Sequence, residues 1–552
     1  MNDIVALICA IVPIAWLFIA MCLLRLPGHI TCPAGLVIAA ILAFFVWKRS
    51  ASEIGSAALE GCLFALWPIL LVVIATMILF RYSEASGGMD RIRSLLTGVS
   101  SDRRVLVLVL AWGFGGFLEG IAGFGIPVLI PGAILVALGF SPMSAVVVCL
   151  VANTAPTPFA QIGIPVLTLS GVTGLDAAPL GAAVATQLFL PCLVLPFLLV
   201  IITGKGLRAV NGVFLITLIS GLSFALPMLL LAHLAGPGLP TLAGSICAIT
   251  CTIVANRLLY KDTETNRAYQ LTKKTTRNAQ EKPVAINTCV EHMASNAQEK
   301  PVAVNARVEH MASNAPAPGA KTEVGVLQAC FPFILVFVLV LATNLIPAVA
   351  DALAPIRTVR TFYTGAGARP LTFSWILTPG VLILIATVLS CFIQRQSFRQ
   401  VLCAAGAAVI SSRNMILTVL SIIAMAKVMS YSGMTAEIAA ALVMTFGIFY
   451  PLIAPVIGAL GTFITGSDTT CCVLFGELQV NAATAIGADP TWIAASNLSG
   501  AAIGKMISPQ SIAVSLGVGG LDGKEGAILK QTLRFSLIVI PILIALSMIA
   551  PM

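Results

Sequence analysis

Apolar runs of roughly twenty residues recur along the whole chain, each long enough to carry a helix across a bilayer. They occupy 4–24, 30–47, 60–80, 104–122, 143–170, 178–202, 211–233, 236–256, 325–350, 373–393, 400–430, 436–457, 491–515 and 530–550. Only helices and closed barrels satisfy every backbone group in hydrocarbon. The runs lack the ten-residue alternation of barrel strands, so helices remain. Of the residues 59% are hydrophobic and only 10% charged, with a mean hydropathy of +1.02. A soluble domain is about a quarter charged, so this chain cannot cover itself with a solvated surface. The expected fold is an all-α polytopic membrane protein of about 12–14 transmembrane helices. The first run, 4–24, has no basic leader and no small-residue cleavage pattern, and reads as a retained span.

The net charge of +9 comes from bases scattered through short loops, without a basic face carrying aromatics. That pattern sets membrane topology and excludes nucleic acid as a partner. The 14 cysteines sit mostly in apolar runs without ligand spacing, so they read as small core residues, and no metal or other cofactor is called for.

One long hydrophilic segment, 257–324, divides the chain into membrane halves 1–256 and 325–552. It holds an 18-residue tandem repeat: NAQEKPVAINTCVEHMAS at 278–295 returns as NAQEKPVAVNARVEHMAS at 296–313. The copies are polar and poor in large hydrophobes, which predicts a disordered spacer. Their histidines, His292 and His310, are not read as ligands. Arg257, Lys261, Arg267, Lys273, Lys274 and Arg277 outnumber the nearby acids and place the segment on the cytoplasmic side, together with Lys205, Arg208, Arg91, Arg93 and Arg103. Arg357, Arg360 and Arg369 fall on the opposite face in that scheme.

Two regions break the run of plain helices. The first is the Gly-rich 113–132 followed by VANTAPTP at 151–158; the second is 458–476 followed by the segment 495–510. Each has a Gly-rich turn with one acid, then a Pro-marked turn (Pro142, Pro490), then a break at an Asn (Asn153, Asn497). Gly120, Gly123, Gly125, Gly466 and Gly504 are the expected helix-breaking positions. Matched broken regions are the signature of inverted-repeat halves whose discontinuous or re-entrant helices meet at a midplane site. Half-helix N-termini there offer free N–H groups to a carboxylate.

Ionised groups deep in a bilayer cost about 2.5 kcal/mol or more, so those present tend to work. Glu119 and Asp468, in the two Gly-rich turns, are the expected proton carriers, with Asp468 preferred on position alone. Lys505 is the expected partner of a substrate carboxylate, and Arg413 a possible second one by its bidentate fork; Lys427 is a further intramembrane cation. Asn153, Thr154, Gln161, Thr465, Ser467, Thr469, Asn497, Ser508 and Gln510 complete the expected substrate contacts, since hydroxyls and amides can bond both ends of a small hydroxy acid.

At these residues the chain resembles the lactate permease family, which includes glycolate permeases. The resemblance spans nearly the whole chain and is densest in SDRR (101–104), FLEGIAGFGIPV (117–128), NTAP (153–156), TGSDT (465–469), LFGELQ (474–479) and GKMISPQSIAV (504–514). It implies import of lactate and glycolate with protons across the bacterial inner membrane, by a fold of inverted repeats and re-entrant hairpins. Two departures stand out: Thr470-Cys471-Cys472 where the family usually continues with small polar residues and Asn, and Asn497-Leu498 where it usually has Asn-Thr. If those positions touch substrate, the accepted acid is larger or less polar than glycolate. A sodium-coupled carboxylate or other organic-anion transporter is the alternative, because unwound carbonyls and hydroxyls also suit Na⁺. An enzyme is not expected: the chain has no HExxH or GxSxG motif. A channel would favour a symmetric pore over two dissimilar halves. Oligomeric state is left open.

Overall fold

A computed structural model describes residues 3–24, 26–123, 125–260, 264–271, 325–368, 370–518, 521 and 524–549. The tandem repeat, with His292 and His310, and Arg369 lie outside the described residues. Among those described, ten helices are long and apolar enough to cross a membrane, and a bent pair, Pro142–Ala152 with Thr157–Thr173, adds an eleventh span turning by 64°. Shorter apolar helices (Val5–Met21, Ile126–Ala137, Pro379–Ile393 and Phe398–Ile410) supplement these. Several runs of the sequence are thus split at Gly and Pro into pieces too short to cross alone. Two four-residue strands, Arg357–Arg360 and Leu371–Ser374, form an antiparallel hairpin outside the helical body.

The first broken region folds as a hairpin. A helical stretch from Arg103 to Ile121 descends, turns at Gly123 and Gly125, and returns as the helix Ile126–Ala137. The turn needs positive φ at both glycines (59° and 83°), which a Cβ would oppose. The two ends of the hairpin meet again where the Arg103 guanidinium lies 5.6 Å from the Phe140 ring centroid. The hairpin therefore enters and leaves by one face. Residues 104–123 are all buried, as an interrupted backbone in a bilayer requires. Ser141 then caps the helix Pro142–Ala152, which continues beyond a break at 153–159 into the helix Ala160–Thr173 and reaches the opposite face.

The second broken region repeats this plan upside down. The helix Tyr450–Thr465 ends at Gly466 (φ 70°), Ser467 caps the returning helix Asp468–Ile486, and Asp489 caps the helix Pro490–Lys505. The entry point of this hairpin lies beside the C-terminal end of the helix Glu525–Ser547, where the Ser547 hydroxyl donates to the Pro451 carbonyl at 2.7 Å. Pro490–Lys505 runs inward from that same face, and the chain then continues through Pro509–Ser515 to Val518, whose side chain lies over Gly132 of the first hairpin. One hairpin thus opens from the face of Arg103 and the other from the face of Ser547, as inverted repeats require.

The two faces differ in charge. The Arg103 face carries Lys205, Arg208, Arg257, Arg267 and Lys524, while the other face carries Asp176 and Asp489 together with Lys48, Arg49, Arg357 and Arg360. On the basic face, Arg104 and Asp102 form a fully buried ion pair at 2.6 Å. Arg104 also donates to the carbonyls of Ala209 and Asn211 and to the Asn266 side chain, and lies 4.1 Å from the Tyr269 ring centroid. Residues 264–271, the near end of the hydrophilic segment, are thereby tied to the base of the first hairpin, and Asp102 pairs with Gln270 as an antiparallel bridge.

Candidate functional site

The two hairpin tips meet the two broken helices in the protein interior, and the acids of both Gly-rich turns arrive there. Glu119 stands in the last turn before the first tip, in the helix Gly115–Ile121. Asp468 opens the returning helix of the second hairpin, where the helix dipole favours a carboxylate. Lys505 ends the helix Pro490–Lys505, the end that favours a cation. The Lys505 ammonium donates to Glu119 Oε1 at 2.8 Å, joining the two halves of the chain. Glu119 is 0% exposed, Asp468 3%, and the Lys505 side chain 18%.

Hydrogen bonding is incomplete around the acids. Glu119 Oε2 and both carboxyl oxygens of Asp468 are buried without a donor, as is the side-chain Oδ1 of Asn153. The Thr157 and Thr462 hydroxyls stand beside Asp468, yet neither reaches it with hydrogen-bonding geometry: Thr157 donates to the Thr154 carbonyl at 2.9 Å instead. Buried polar groups are ordinarily satisfied, so the orphaned acceptors gathered around one lysine make this cluster the candidate site.

The other expected contacts divide. Asn153 and Thr154 lie buried at the first break, and Gln161, just after that break, donates through its amide to the Ala122 carbonyl at 2.8 Å, holding the first hairpin tip. Thr465 and Ser467 form the second tip; the Thr465 hydroxyl bonds the Gly461 carbonyl and Ser467 caps the next helix. Thr469 is half-buried in that helix's first turn. Ser508 caps Pro509–Ser515, and the exposed Gln510 lays its side chain over Gly466.

Four expectations need correction. Asn497 does not mark a break: the helix runs unbroken from Pro490 to Lys505, and the interruption falls at 506–508. Asn497 instead accepts from Gln479 at 3.1 Å, and Gln479 accepts from Tyr450 at 2.7 Å, a network that ties the helix Pro490–Lys505 to both arms of the second hairpin. Gly504 is likewise helical and lies against the Ala459 carbonyl, as Gly500 lies against that of Pro455. These glycines let two helix backbones approach closely, the small-residue packing of membrane helices. Gly120 is also helical, with Leu242 2.8 Å from where a Cβ would stand, so it serves packing rather than turning. Gly123, Gly125 and Gly466 do turn the chain. Arg413 is exposed on the helix Phe398–Ser432 and, among the described residues, forms no ion pair with either acid; its neighbour Ser412 takes the inward position.

Sequence reading singled out neither Asp102, of the buried pair described above, nor a second buried acid. Glu60, 2% exposed, pairs with Lys427 at 3.1 Å and accepts from the Tyr431 hydroxyl at 2.8 Å. Its position at the edge of an apolar run made it look like a span end. Ser50 and Glu53 cap the helix earlier, in a reciprocal capping box, and so carry Glu60 inside.

Paired inverted hairpins with a buried, incompletely satisfied charge cluster at their tips define a polytopic helical membrane transporter. The chain belongs to the L-lactate permease family, whose profile matches residues 6–552. It is 41% identical over 489 residues to the L-lactate permease of Streptococcus iniae, covering 88% of this chain and 93% of that protein. It is 32% identical over 567 residues to the L-lactate permease of Bacillus subtilis, covering 98% and 94%. To the glycolate permease GlcA of Escherichia coli K12 it is 31% identical over 549 residues, covering 96% and 92%. Among solved structures, Neisseria gonorrhoeae MtrF, from a class of antimetabolite efflux pumps, aligns with a TM-score of 0.48 at 15% identity, covering 94% of each chain.

Proposed function

We propose that the protein imports lactate- and glycolate-type 2-hydroxy monocarboxylates by proton symport across the bacterial inner membrane. The names of its relatives support the substrate class. The observation that carries the coupling is the buried trio of Glu119, Asp468 and Lys505, two carboxylates against one ammonium. An arriving monocarboxylate adds another negative charge to a site removed from water, where an uncompensated ion costs several kcal/mol. Uptake of a proton by one of the acids offsets that charge. The substrate carboxylate pairs with Lys505, and its hydroxyl finds Asn153, Thr154, Ser467 or Thr469 among the groups at the tips.

The face carrying Arg103, Lys205, Arg208, Arg257 and Lys524 is taken as cytoplasmic, and with it the segment 257–324, because positive loops stay inside. The first hairpin then opens toward the cytoplasm and the second toward the outside. Halves 1–256 and 325–552 act as the two repeats around the site.

The test is uptake of radiolabelled L-lactate and glycolate by proteoliposomes under an imposed inward proton gradient. Accumulation that a protonophore abolishes and that sodium does not affect supports the symporter. Accumulation that needs a sodium gradient refutes the proton coupling, and uptake of neither acid by folded protein refutes the substrate class.

A further inference from the structure

Lys505 is the single cation of the charge cluster among the described residues, and it is already engaged. Its ammonium is bonded to Glu119 Oε1, while the second Glu119 oxygen has no donor. A substrate carboxylate that binds Lys505 must therefore compete with Glu119 for it. Once displaced, Glu119 is a fully buried carboxylate without a partner, a state that a protein avoids by neutralising the group. Asp468 stands differently. It forms no ion pair with Lys505 and neither of its oxygens has a donor; the supports it has are fixed ones, the positive end of the helix Asp468–Ile486 and the nearby Thr157 and Thr462 hydroxyls, neither of which bonds it. Those supports do not leave when Lys505 changes partner.

We infer that Lys505 passes from Glu119 in the empty site to the substrate carboxylate in the loaded site, and that Glu119, not Asp468, carries the transported proton. This rests on the symporter reading above and adds to it the order of events and the carrier. In the empty site Glu119 and Lys505 neutralise one another. In the loaded site the substrate and Lys505 do so, and Glu119 holds a proton, so the charge of the cluster is the same in both. The carrier thus returns empty or crosses loaded without changing the charge it buries, and a half-loaded site, with Glu119 ionised and Lys505 taken, is penalised. Besides Lys505 and Asp468, the titratable groups on elements packed around the Gly115–Ile121 helix are the thiols of Cys149, Cys247 and Cys251, with Arg257 at the far end of the helix Pro240–Leu259. None of these is placed to replace Lys505 as a partner.

The sign follows from proton linkage: substrate binding takes up one proton, so apparent affinity falls as pH rises, by up to about tenfold per pH unit. The experiment uses the purified full chain in proteoliposomes. Glu119→Gln, a mimic of the protonated state, is expected to exchange labelled for unlabelled lactate in counterflow that no longer varies with pH, and to lose accumulation driven by a proton gradient. Continued protonophore-sensitive accumulation by this variant, or counterflow with the wild-type pH dependence, overturns the proposal. Infrared difference spectra recorded on adding lactate give a second readout, independent of whether Glu119→Gln folds. A protonated-carboxyl band is expected in the wild type and in Asp468→Asn; its absence from Asp468→Asn that still binds lactate assigns the proton to Asp468 and overturns the proposal. Wild-type protein that transports neither acid, or does so without protons, refutes the symporter reading itself and is told apart by these control measurements.

Discussion

The Gln161 side chain donates to the Ala122 carbonyl at 2.8 Å, and through that bond the broken helix of the first half holds the tip of the first hairpin. The bond comes with backbone strain. Gln161, Ile162 and Gly163 follow one another at positive φ (46°, 58° and 84°), a left-handed turn that side chains with a Cβ disfavour by about 1–2 kcal/mol each. The amide also fills the space beside Gly123, where a Cβ would meet it at 3.1 Å.

Strain and bond can be separated at this residue. Gln161→Ala loses the hydrogen bond, about 1 kcal/mol, and keeps the strain. Gln161→Gly loses the bond but relieves a backbone cost of about the same size. The glycine variant is therefore expected to melt at the higher temperature of the two in detergent. An alanine variant as stable as the glycine one would mean that the left-handed turn stores no strain.

The Glu60–Lys427 pair lies apart from the hairpin tips, on the helices Ala51–Phe64 and Phe398–Ser432. Removing one partner, as in Lys427→Met, leaves a buried charge alone and is expected to cost about 3–5 kcal/mol. Glu60→Leu combined with Lys427→Met is expected to regain most of that loss, measured by thermal unfolding as a double-mutant cycle. Additive losses would show that the two groups do not act as a pair.

Arg104 uses its whole guanidinium: Asp102, Ala209, Asn211 and Asn266 all accept from it. Lysine cannot reproduce this fork. Arg104→Lys is expected to destabilise the protein by about 3 kcal/mol or more, as breaking a buried pair does. It is also expected to expose the stretch near Tyr269 to protease, read by limited digestion of the purified protein. An unchanged digestion pattern would separate Arg104 from the anchoring of 264–271.

Glycines that look alike in the sequence are expected to respond oppositely to alanine. At Gly500 a Cβ would collide with the Pro455 carbonyl, and Gly500→Ala is expected to lose about 1–3 kcal/mol or fail to fold. At Gly406 nothing lies within 4 Å, and Gly406→Ala is expected to be neutral or to gain up to about 1 kcal/mol of helix propensity. Equal melting temperatures for the two variants would contradict the close helix approach at Gly500.

Much of the fold is legible without coordinates because its signals are local. The apolar runs report the bilayer, and the glycines at 123, 125 and 466 report turns that a Cβ would oppose. Pro142 and Pro490, each preceded by a capping residue, report helix starts. Signals that depend on a neighbouring helix mislead. Asn497 looks like the mate of Asn153, yet the close packing at Gly500 and Gly504 keeps its helix continuous and turns the side chain toward Gln479. Glu60 reads as a span end because its helix begins a few turns earlier than the apolar run does.

The sequence by itself determined that the chain is helical, crosses the membrane many times, breaks twice in matched places and belongs with the lactate permeases. Those properties follow from hydropathy, from Gly and Pro backbone chemistry and from motif, all carried by adjacent residues. Only the tertiary structure decided that the hairpins enter from opposite faces and that Lys505 pairs with Glu119, 386 residues away, rather than with Asp468. An ion pair is a matter of a few ångströms between separate elements, and no spacing along the chain encodes that distance.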